Sequence, residues 1–179
     1  MQKILSLLFV VLTACAVRAA GFPQLSGGGD EYWYYLKFTQ GSYVVAADGD
    51  AVVCTSAFPT GRAAQLWKVE GSASAGYTFT NKLGQTLYAV ATTQGSEIRA
   101  ASTPGSLSKF RINARGVYYT ITPYSNSGQA LNCWGGMGLG NDIKLYDSGD
   151  ANAPMEFLTE AEAVTANTLV NVIPYPKSV

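Results

Sequence analysis

Few residues in this chain are equipped for chemistry. It contains no His among 179 residues, which removes the commonest general base and the commonest zinc ligand. Ser-His-Asp, Cys-His and His-rich metal sites are excluded with it, and no cofactor is expected. One acidic pair stands out, in Gly28-Gly29-Asp30-Glu31; it lies near the N-terminus with no barrel around it and reads as part of a linker. Three Cys remain: Cys15, Cys54 and Cys133. Cys54 and Cys133 either pair as a disulfide or stand apart as two buried thiols. Trp134 sits in Asn132-Cys133-Trp134-Gly135-Gly136-Met137-Gly138. A Trp in so glycine-rich a loop is either an exposed stacking platform or a cap over the core, with the glycines meeting turn geometry.

Composition sets the frame for these groups. Lys+Arg 12 balance Asp+Glu 12 and charged residues are only 13% against 47% hydrophobic, so the chain is neither a disordered tail nor a basic nucleic-acid surface. Met1-Gln2-Lys3 and the apolar run Ile4 to Ala14 lead into Ala16-Val17-Arg18-Ala19-Ala20. That is the layout of a secretory signal peptide over residues 1–20, too short for a membrane span. Leu12-Thr13-Ala14-Cys15 also resembles a bacterial lipobox, in which Cys15 is lipidated and becomes the new N-terminus. Either route exports the protein to a periplasmic, cell-surface or extracellular location, with a membrane as partner only in the lipidated case. Residues 21–31 then read as a flexible linker.

The elements that must position any site come in three copies. Gly41-Ser42-Tyr43-Val44, Gly84-Gln85-Thr86-Leu87 and Gly128-Gln129-Ala130-Leu131 recur roughly 43 residues apart. Each follows an aromatic alternating run: Tyr35 to Phe38, Tyr77 to Thr80, Tyr119 to Thr122. Each precedes a second apolar run: Ala51-Val52-Val53, Glu97-Ile98-Arg99 and Asp142 to Leu145. Each unit closes on an aromatic, at Trp67, Phe110 and Phe157. Short period-two runs broken by Gly, Pro, Asn and Ser mean strands. Four strands per unit give about twelve in all. Three units are too few to close a propeller ring. They close instead as an all-β trefoil over residues 32–160, a short barrel capped by hairpins, with Trp67, Phe110 and Phe157 meeting near its axis.

Gln65-Leu66-Trp67 matches the Gln-x-Trp signature of ricin-B-type lectin repeats, and the other two units end on weakened copies with Phe. Ser127 to Asn132, Ile143 to Tyr146 and Asp150-Ala151-Asn152 together resemble a full lectin repeat. Competent repeats of that family carry a polar side chain after the Leu, an aromatic platform after the second apolar run, and an amide before the terminal aromatic. Hydroxyl pairs need donors and acceptors, and the apolar face of a pyranose stacks on a ring. The resemblance thus implies a glycan site made of Asn132, Tyr146 and Asn152, with Asp147 and Asp150 nearby and Trp134 as a further platform. Asn132 stands where the family usually has Asp. In the first two units Val45 and Tyr88 fill the polar position, and Thr55 and Ala101 the platform, so at most one site is expected. Loop amides also form local turns, and a non-binding spacer domain is the alternative.

Residues 161–179 read as a linker and the start of something larger. Ile173-Pro174-Tyr175-Pro176, with Val179 after it, resembles the opening of the small α/β domain that precedes the catalytic barrel in glycoside hydrolase family 20, the β-N-acetylhexosaminidases. The resemblance implies a missing C-terminal catalytic domain that supplies the Asp-Glu pair of that family. No catalytic residue is expected within the present chain.

Overall fold

The computed structural model describes residues 21–57 and 63–165. Residues 1–20, Cys15 and the Ile173–Pro176 motif lie outside the described residues. Twelve strands and one short helix follow one another: β1 (Tyr34–Phe38), β2 (Tyr43–Asp48), β3 (Ala51–Ser56), β4 (Leu66–Ser72), β5 (Gly76–Asn81), β6 (Thr86–Ala89), β7 (Ile98–Ala101), β8 (Phe110–Arg115), β9 (Tyr118–Pro123), β10 (Gln129–Cys133), β11 (Ile143–Asp147), β12 (Met155–Leu158) and α1 (Glu160–Thr165). The three units expected from the glycine spacing are strands β1–β4, β5–β8 and β9–β12.

The first and last strand of each unit build a barrel. Pairing runs β1–β4–β5–β8–β9–β12 and returns to β1, antiparallel throughout. Closure leaves these six strands without an open edge. The middle strands form three hairpins, β2–β3, β6–β7 and β10–β11, which cap one end. Three bridges join the hairpins: Ala51 with Arg99, Glu97 with Lys144, and Asp142 with Val53. By register these are one contact repeated around a threefold axis. The chain is an all-β trefoil.

The core explains why each unit ends on an aromatic. Phe79 packs edge-on to Phe110 at 5.9 Å and stacks with Phe157 at 6.5 Å. Tyr34 and Tyr119 meet Phe157 edge-on at 6.0 and 5.8 Å. Trp67, Phe110 and Phe157 all belong to this one cluster. Trp67 also has a polar atom to satisfy, and its indole N–H donates to the Val45 carbonyl at 3.0 Å. Gln65 donates from Nε2 to the Ser56 carbonyl at 2.9 Å, which fixes the entry to β4. The β4–β5 hairpin needs Gly71, with φ 111°, because a Cβ there would overlap the Gly76 carbonyl.

Parts of two segments expected as linkers, residues 22–31 and 161–163, contact the barrel. Phe22 lies 5.9 Å from both Tyr77 and Tyr119, residues at the strand starts farthest from the cap, so it covers the barrel's open end. Ser26 donates its N–H to the Val69 carbonyl at 2.8 Å, and Gln24 donates its own to the Tyr34 hydroxyl at 3.0 Å. Asp30 bridges back to Gly27 through the backbone, and Glu31 accepts from Lys68 Nζ at 2.9 Å. A barrel mouth lined by tyrosines is an apolar surface, and burying it holds residues 22–31 in place. At the other terminus Thr159 and Glu162 form a reciprocal cap: Glu162 N donates to Thr159 Oγ1 while Glu162 Oε2 accepts from Thr159 N. Ala163 is buried against Tyr35, Leu66 and Leu158, so the first turn after residue 160 belongs to the domain. Among the described residues no helix is long and apolar enough to cross a membrane.

Candidate functional site

The β10–β11 hairpin sorts its residues by alternation. Leu131 faces Leu145 and Cys133 faces Ile143 across the ladder, and all four are buried in the core. The intervening residues therefore face away from that core: Asn132 opposite Lys144, Ala130 opposite Tyr146, and Trp134 one step beyond, with Ala130 and Asn132 covered and Tyr146 and Trp134 reaching the surface. Trp134 N donates to Asp142 O at 2.9 Å, which continues the ladder past β10. The residue is 39% exposed, and its ring meets Tyr146 edge-on at 6.0 Å and 78°. Trp134 thus lies at the surface and does not cap the barrel core. Lys144 Nζ lies 5.8 Å from the Trp134 ring centroid and 3.3 Å from Asp142 Oδ2, a contact that steadies the indole.

Asn132, Trp134, Gly135, Gly136, Tyr146, Asp150 and Asn152 line one open cleft of about 380 Å³, a size ordinary for small-molecule sites. Asp150 organises its polar end. Its Oδ1 accepts from Asn132 Nδ2 at 2.9 Å and from Asn152 N at 2.8 Å. The Asn132 carbonyl and Asp150 Oδ2 accept no hydrogen bond from the described residues. A hydroxyl-bearing ligand would thus meet two acceptors at one end of the cleft and two aromatic rings along its side. Where the lectin repeat has a carboxylate on the strand, this chain has an amide there and the carboxylate on the following loop.

Asp147 does not join this group. It lies outside the cleft lining and its Oδ1 accepts from Gly149 N at 2.8 Å, the Asx-turn geometry of a turn former. The sequence also gave no sign of Arg115, which comes from β8, in the preceding unit. Its Nη1 donates to the carbonyls of Ser148 at 3.0 Å and Asp150 at 2.6 Å, and its Nη2 to Gly149 at 2.6 Å. One guanidinium fills a loop of three carbonyls and so fixes where the Asp150 carboxylate stands. Arg115→Met is expected to lower unfolding free energy by about 1–2 kcal/mol, read from a urea midpoint at constant slope; an unchanged midpoint would deny the clamp any structural role.

The other two hairpins carry different outer faces. Register places Tyr88 where Asn132 stands, Ala101 where Tyr146 stands and Val90 where Trp134 stands. In the first hairpin these places hold Ala46, Thr55 and Asp48. Val45, expected at the polar position, faces inward opposite Cys54 and is buried. The first turn has one more residue between Gly41 and its inward apolar position, and a slip of one residue flips a strand's faces. No cluster of three metal-ligating side chains occurs among the described residues.

Neither a family model nor a characterised protein sequence matches the chain. Solved structures do. The designed threefold-symmetric protein ThreeFoil superposes with a TM-score of 0.63 at 20% identity, covering 71% of this chain and 98% of that one. A Macrolepiota procera ricin B-like lectin solved with lactose gives 0.62 at 14%, covering 75% and 97%. An exo-β-1,3-galactanase from Clostridium thermocellum gives 0.63 at 17%, covering 73% of this chain but 30% of the enzyme. Six barrel strands, three capping hairpins and these superpositions lead to one statement: the chain has the β-trefoil fold found in ricin B-like lectins.

Proposed function

We propose that the chain is a carbohydrate-binding module with one site, on the outer face of β10–β11. The observation that carries this reading is the convergence of Asn132 and Asp150 with Trp134 and Tyr146 on a single open cleft. Asn132 and Asp150 take the sugar hydroxyls, Asn152 borders them, and a pyranose face lies against an aromatic ring. With one site per chain, affinity for a single glycan is weak and avidity is absent.

The module's role, in this reading, is to hold an exported glycoside hydrolase, a β-N-acetylhexosaminidase, close to its glycans. Two observations support it: the Ile173–Pro176 stretch resembles the start of that enzyme family's N-terminal domain, and the same fold makes up 30% of a galactanase. In this reading the hydrolase supplies the catalysis and the present chain supplies the binding. A glycan array with the purified chain tests the module: binding to a defined group of terminal sugars is expected. A blank array at high protein concentration would favour a spacer domain, a reading that the sugar-poor outer faces of the first two hairpins make concrete.

A further inference from the structure

We infer that Cys54 and Cys133 form a disulfide that ties the first unit to the third beneath the loop carrying Trp134. Cys54 lies in β3 and Cys133 ends β10, and both are fully buried in one core cluster. The backbone already joins the two places. Cys54 N donates to Asn141 O at 2.8 Å and Gly140 N donates to Cys54 O at 2.8 Å. The glycine-rich loop therefore starts at one cysteine and ends hydrogen-bonded to the other. Threefold register shows what the junction needs for packing alone. Its two equivalents are Ala100 with Ala47 and Leu145 with Ala89, plain apolar pairs that fill the same space without sulfur.

The thiols act directly on each other. Cys54 beside it draws the Cys133 thiol down to about 7, and the same contact together with burial pushes Cys54 up. Cys133 Sγ also donates to the Gly136 carbonyl at 3.0 Å. Both cysteines are free thiols in the structure, and Gly135, Gly136, Gly138 and Gly140 give the loop the compliance to bring the sulfurs together. The oxidant is a low-molecular-weight disulfide, met before the hairpins close over the pair. The Cys133 thiolate attacks one of its sulfurs, forming a mixed disulfide and releasing a small thiol. Cys54, after losing its proton to solvent, attacks the Cys133 sulfur and releases the second small thiol. Two protein thiols and one small disulfide become one protein disulfide and two small thiols.

The test uses the full chain carrying Cys15→Ser, unfolded and then refolded in a glutathione redox buffer. After acid quenching and denaturation, free thiols are titrated and the intact mass is measured. The expected result is loss of both titratable thiols, a mass lighter by two hydrogens, and a peptide joining Cys54 to Cys133. Adding Cys54→Ser should restore one thiol. Two titratable thiols at unchanged mass, or a crosslink only between chains, would overturn the inference. Neither readout involves a sugar, so the glycan-binding proposal stands or falls separately.

Discussion

Phe79→Ala is expected to lower unfolding free energy by about 3–5 kcal/mol, the largest effect of any single truncation considered for this domain. Phe79 is fully buried and contacts both Phe110 and Phe157. It therefore links the closing aromatics of the second and third units. A β-strand cannot collapse into the vacated space without breaking the ladder that β5 shares with β4 and β8. The cavity cost thus adds to the lost transfer energy instead of being relaxed away. Against a typical domain stability of about 5–15 kcal/mol, this loss takes most of the margin of a domain at the low end of that range. The measurement is a urea transition followed by Trp fluorescence. Val117→Ala, at a residue 51% exposed, should shift the free energy by less than about 0.5 kcal/mol. A Phe79→Ala loss no larger than that of Val117→Ala would show that the three units do not share one core.

How far the sequence could be read follows from which contacts are periodic. The barrel and cap were legible because each unit repeats the same alternation, and alternation is what buries one face of a strand. Asn132 and Tyr146 came from the resemblance to a lectin repeat and not from alternation, and β10–β11 pairing brings the two positions to the same side. Contacts made once, between units, left no such trace. Arg115 acts across 33 or more residues on three backbone carbonyls, and nothing in a neighbouring unit repeats it. Phe22 reads as part of a linker until the ring of Tyr34, Tyr77 and Tyr119 at the barrel mouth is known. The extra residue after Gly41 is visible in the sequence. Its consequence, Ala46 rather than Val45 on the outer face, follows only once Val45 is seen opposite Cys54.

Tyr146→Ala is expected to weaken binding of any glycan hit at least tenfold, equivalent to about 1.4 kcal/mol, while leaving the fold intact. Tyr146 is only partly buried, its cross-strand neighbour is the small Ala130, and its ring contact is with Trp134, itself on the surface. Removing it takes one wall from the cleft without opening the core. Asn132→Ala should act differently. Asn132 is 4% exposed and donates to Asp150 Oδ1, so its loss removes an acceptor from the cleft and deprives the carboxylate of a partner. Stability should therefore fall by about 1–3 kcal/mol together with affinity. Val90→Ala, at the second hairpin's counterpart of Trp134 and 54% exposed, should change neither. Titration of the best array hit by calorimetry, paired with thermal melts, separates these patterns. Binding that survives Tyr146→Ala but fails in Val90→Ala would move the site to the second unit, where Tyr88 and Arg99 share an outer face.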